Sequence, residues 1–175
     1  KFVRFGGNLD SNQYDDYAKF KQDVQRTIKS DLNTLDARAG TKAVAKAGNL
    51  VLFKLTNFAA ARKRAIEPGD PAPENATFLE IQAHAATGEP GWPWTGWCTQ
   101  IETHYRTYTH GTLYAAKEGN KPVVQLYFHA TDRTHDAAKN IKDAAIDEAQ
   151  ARQVAPLLVN LPEIDLRLEP ELALH

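Results

Sequence analysis

With 175 residues, 42% of them hydrophobic, and a formal net charge of −1, the chain is large enough to bury a core without disulfide or metal staples. Twenty-one basic against twenty-two acidic side chains disfavour bulk capture of nucleic acid or of an anionic membrane surface, and no apolar run approaches the ~20 residues of a spanning helix. The single cysteine, Cys98, excludes an intrachain disulfide and a cysteine-based zinc cluster.

Lys1–Phe5 reads as a short strand ended by Gly6-Gly7. Asp10 or Ser11 offers an N-cap for a long helix marked by Tyr14, Tyr17, Val24, Ile28, Leu32 and Leu35 at spacings of three and four, with Gly40 as its stop. Asn49–Phe58 is a strongly apolar strand, and 59–66 (AAARKRAI) a short helix. Glu67–Asn75, with three prolines and a glycine, is a surface loop. Phe78–Ala85 alternates as a strand, and a second loop covers Thr87–Gly96. Trp97–Thr109 is rich in threonine and aromatic residues, which favour a strand over a helix. Thr112–Lys117 and Lys121–Ala130 are strands joined by a Gly119-Asn120 hairpin turn, with Pro122 placed at a strand start or an edge.

Asp132 or Thr134 is expected to cap a second long helix that runs to Gln153, with Pro156 as its stop. Ile164, Leu166 and Leu168 suit an edge strand. The sum is a single α+β domain over residues 1–175. Its sheet is mainly antiparallel, with one long N-terminal helix and one C-terminal helix packed on one face.

Three of the expected strands carry polar residues at alternate positions. Glu80, Gln82 and His84 share one side, as do Gln100, Glu102, His104 and Arg106, and again Gln125, Tyr127 and His129. Paired as neighbours, they would form one polar face. Glu102, His104 and His84 have the ligand chemistry of a divalent transition metal, and Glu102, His104 and His129 that of an acid–base site, with Arg106 holding an anionic group. The same pattern also fits an ordinary solvated sheet face. Trp92, Trp94 and Trp97, interleaved with proline and glycine, would either stack on an extended ligand or plug one end of the sheet.

The string Gly96-Trp97-Cys98-Thr99 is loosely similar to the nucleophile segment of papain-like amidases such as the CHAP group, where a cysteine opens a helix. That resemblance implies a Cys98 thiolate with His129 as its base, and it stands against the strand expected over 97–109. Neither a P-loop nor a dinucleotide fingerprint is present, so no nucleotide cofactor is expected. The reading that assumes least is a non-catalytic binding domain. It would hold a protein partner or an extended ligand through the polar face and the tryptophan loop, including Arg106 and Tyr127. The alternative is a hydrolase or lyase on the same face. No membrane association is expected, nucleic acid is not favoured, and the lone thiol leans toward the cytoplasm.

Overall fold

The computed structural model describes residues 17–65, 77–87 and 95–164. The expected strand Lys1–Phe5, the loop Glu67–Asn75, and Leu166 and Leu168 of the expected edge strand lie outside that set, whereas Ile164, the first residue of that expected strand, is in a helical turn. Helix α1 (Tyr17–Ala39) is followed by strands β1 (Thr41–Ala47) and β2 (Leu50–Leu55) and by helices α2 (Phe58–Arg64) and α3 (Phe78–Thr87). A helical run comprising a 3-10 turn (Cys98–Gln100), α4 (Glu102–Tyr105) and a second 3-10 turn (Arg106–His110) leads into β3 (Gly111–Glu118) and β4 (Lys121–His129). Another 3-10 turn (Arg133–His135), β5 (Ala137–Asn140) and α5 (Glu148–Leu158) complete the described chain.

The five strands form an antiparallel sheet in sequence order, so every strand pairs with its chain neighbour. Two of the connections are the same two-residue turn. Gly48 (φ 57°) and Gly119 (φ 58°) each occupy the first central position. Asn49 and Asn120 follow at negative φ, the type II′ geometry whose twist matches the strands. The Gly119-Asn120 hairpin is the one predicted. The Gly48-Asn49 hairpin, and β1 with it, carries the same dipeptide signal and was missed.

The α+β architecture, with its antiparallel sheet and its N-terminal and C-terminal helices, agrees with the prediction. Helix α5 packs on one face of the sheet. There Leu50, Leu52, Tyr114, Ala116, Val124 and Leu126 meet Val154, Leu157 and Leu161. The other face, with Leu55, Leu113, Ala115 and Tyr127, is covered by Ala60 and Ala61 of α2 and by Trp97. Asn57 ties α1 to α2. Its Oδ1 caps α2 by accepting from the Ala60 amide at 2.8 Å, and its Nδ2 donates to the Asp36 carbonyl at 2.9 Å. No helix among the described residues is long and apolar enough to cross a membrane.

Three sequence expectations are corrected. Phe78–Ala85 is helical, not a strand, because Thr77 and Glu80 close a reciprocal capping box. The Glu80 amide donates to Thr77 Oγ1 at 3.3 Å, and Glu80 Oε2 accepts from the Thr77 amide at 2.7 Å. Trp97–Thr109 is a run of short helical turns despite its β-branched content. Thr107 and Thr109 donate their hydroxyls to the His104 and Arg106 carbonyls, both at 2.7 Å, and so satisfy helical backbone from the side chain.

The helix expected from Asp132 to Gln153 is instead a 3-10 turn, a strand and a shorter helix. Asp132 caps one turn only, accepting from the Thr134 amide at 2.9 Å. Ala137–Asn140 then pairs along the free side of β4. The real helix start is Asp147, whose carboxylate accepts from the Gln150 amide while Gln150 reaches back to the Asp147 amide. Pro156 lies inside α5 rather than after it. Its flanking Val154 and Leu157 are buried against the sheet and hold the last turn in place.

Candidate functional site

The polar sheet face expected from alternation does not form, because two of its three strands are helical. Glu80 is spent in the capping box. Gln100 is buried, its Nε2 donating to the Thr95 carbonyl at 2.6 Å, and Gln125 is buried with its Nε2 donating to Thr99 Oγ1 at 2.7 Å. Glu102 and His104 both stand on α4, two positions apart, so they do not face each other. Glu102 accepts from exposed Arg106 at 2.8 Å, and the His104 ring lies 5.0 Å from that of Phe78. His84 sits in α3, but its side chain lies outside the described set. No group of three or more His, Cys, Asp or Glu side chains that could hold a metal ion occurs among the described residues.

Of the tryptophans, Trp92 and Trp94 lie outside the described residues. Trp97 is 0% exposed and plugs the sheet, donating Nε1–H to the Asn140 carbonyl at 2.7 Å. That bond, together with Gly96 N–H to the Ile141 carbonyl at 2.6 Å, pins the segment before Cys98 onto the turn after β5. Asp143 in that turn has φ 61°, a left-handed conformation that few non-glycine residues adopt.

Cys98 does open a helical turn, yet its surroundings do not activate it. It is buried, and its Sγ meets the Tyr108 hydroxyl at 3.3 Å. Burial pushes the thiol up from its ordinary value by more than the Tyr108 hydrogen bond lowers it, and Asp143 raises it further. Burial likewise raises Tyr108 and the Asp143 carboxyl.

Sequence reasoning missed a cluster at the open end of β3 and β4. His129 is directly opposite Gly111, and a Cβ at Gly111 would collide with the Phe128 carbonyl, so only glycine allows this close pairing. His110 thereby comes beside His129, with ring centroids 6.5 Å apart, and the His135 ring lies 5.3 Å from that of His129. The edge-on pair Tyr108–Tyr127, 4.9 Å apart, leads to His129, 6.2 Å from Tyr127. Tyr127, predicted as a ligand contact, is buried within the core. Its hydroxyl has no hydrogen-bond partner among the described residues, and burial and Asp136 both raise its pKa.

Hydrogen bonding sets the two central imidazoles in opposite tautomers. His129 Nδ1 accepts the amide N–H groups of Asp132 (3.0 Å) and Thr131 (3.3 Å), which places the neutral ring's proton on Nε2. His135 Nδ1 lies 2.9 Å from Asp132 Oδ2, which places a proton on Nδ1 and, in the neutral ring, the lone pair on Nε2. Asp132 is held below the usual carboxylate range by the Thr134 hydroxyl and amide, ahead of its pairing with His135. Asp136 Oδ1 accepts the His129 amide at 2.8 Å and anchors the cluster to the end of β4. The one signal for this cluster in the sequence is the density of histidine and aspartate over 129–136.

Comparison with known protein families, curated proteins and solved structures finds no match to this chain.

Proposed function

We propose that this chain is a binding domain whose ligand sits on the imidazole cluster of His110, His129 and His135, at the end of β3 and β4. The observation that carries the reading is the close approach of three rings from three segments of the chain, with the two central ones in complementary tautomers. A lone pair on His135 Nε2 matches a group that donates a hydrogen bond, such as a hydroxyl or a peptide N–H. A protein partner or other extended ligand presents such groups. Arg106 opens the same 3-10 turn that His110 closes, and its exposed guanidinium, paired with Glu102, is kept only as a rim charge. The lone buried thiol keeps a reducing, cytoplasmic setting as the simplest home.

The histidine side-chain signals, followed by NMR while short peptides and polyols are titrated in, test this. Saturable shifts at His129 and His135, with His104 unmoved, are expected. Shifts confined to His104, or none at any histidine, would sink the reading.

One observation favours a second reading. Asp132 orients His135 as a carboxylate orients a general base, leaving Nε2 to take a proton from water attacking a carbonyl carbon. Hydrolysis of an activated ester that falls with His135→Ala, and falls again with Asp132→Asn, would promote this over simple binding.

A further inference from the structure

Helix α1 buries one side and leaves another unused. Ala37 is buried, and Phe20, Val24, Thr27, Asp31 and Thr34 are half-buried on the same side. Leu32 and Leu35 are 49% and 54% exposed. With half-buried Ile28 and exposed Ala39 they form a second stripe, at spacings of four, three and four. That spacing is the seam of a two-helix coiled coil. We propose that this stripe is the interface of a homodimer, in which the α1 helices of two copies pack antiparallel about a two-fold axis.

The charges beside the stripe select both the occupant and its direction. Setting Leu32 of one copy against Leu35 of the other places Ile28 opposite Ala39, so large and small side chains alternate along the seam. The same alignment brings Lys29 against Asp36 of the second copy on the outer flank. Symmetry makes the contact twice. The flanking pair is opposite in sign. A parallel alignment would instead separate Lys29 from Asp36 of the second copy, since flanking positions five residues apart then meet. Asp36, Arg38 and Ala39 are all exposed, so the flank is open to a second helix.

Sedimentation equilibrium on the whole chain, over a range of protein and salt concentrations, tests the proposal. A monomer–dimer equilibrium that weakens with salt is expected. Asp36→Lys sets two lysines together twice and should weaken the dimer by about tenfold. The exchanged double variant Lys29→Asp/Asp36→Lys should restore it. Positions 29 and 36 are two helical turns apart within one chain, so a purely local structural role predicts no such rescue. Leu32→Gln/Leu35→Gln should leave a folded monomer, with its fold checked by circular dichroism. A wild-type chain that stays monomeric at the highest concentration reached overturns the proposal. So does a dimer that the leucine variant leaves intact, or one that the charge exchange fails to restore.

Discussion

At the scale of single residues, hydrogen bonding decides which groups are available for chemistry. Cys98 has the setting of an inert thiol: enclosed, bonded to Tyr108, and shifted up by burial. Alkylation of the folded protein at neutral pH should therefore run at least about tenfold slower than that of an unfolded control. A rate equal to the control would reinstate the thiolate chemistry implied by the Gly96–Thr99 string. Glu163 is the opposite case. Burial alone would raise its carboxyl, but a backbone N–H, the Thr112 and Tyr114 hydroxyls and Lys54 together hold it below its ordinary value. The Tyr114 hydroxyl shares its proton between the two oxygens, each 2.9 Å away. A depressed carboxyl adds stability above its unfolded value and loses it as pH falls through the folded one. Glu163→Gln should thus cost roughly 1–2 kcal/mol in urea unfolding at pH 7. The gap to wild type should close in acid, below the depressed value. An undiminished gap there would mean that the carboxylate charge is not what holds Glu163 against Tyr114.

At the scale of elements, β1 is an edge strand with built-in protection. Its register slips between Ala43 and Ala45, leaving Val44 as the extra residue of a bulge. The slip places Lys42 opposite Lys54 on one face of the sheet and Lys46 opposite Val51 on the other, so each face of the exposed edge carries an ammonium group. Such charges discourage pairing with a foreign strand. Lys42→Val/Lys46→Val should aggregate faster on gentle heating, read by light scattering, with little change in the unfolding midpoint. If aggregation is unchanged, the bulge alone protects the edge. Elements also show what was legible in the sequence. The long helix, the apolar β2 and the Gly119-Asn120 hairpin were readable because propensity, periodicity and turn chemistry agreed there. Phe78–Ala85 alternates with a period of two, yet its residues are mostly good helix formers and the Thr77…Glu80 capping box decides for the helix. Trp97–Thr109 was misread because β propensity is weak when a neighbouring anchor, here Trp97 under the sheet, dictates the path.

At the scale of the whole molecule, those two misread segments explain why the fold class was recoverable while the site was not. The antiparallel sheet survives the errors because its strands come from other parts of the chain, whereas the predicted site depended on three particular strands being neighbours. Only His129 kept its place on a strand that points toward other histidines. Its true companions, His110 and His135, come from a turn before β3 and a turn after β4, and no periodicity links them. Placing them required the register of Gly111 against His129, and register is a tertiary property.

The Gly119-Asn120 turn lies at the opposite end of the β3–β4 hairpin from that register point. A Cβ built at Gly119 meets no atom within 4 Å, and the eight residues of β3 separate the two ends by about 25 Å. The hairpin is therefore a natural handle. A dye or surface tether attached at Asn120 would hold the molecule by one pole and leave the other facing solution, so that a ligand titrated against the imidazoles could be followed without the label in its way.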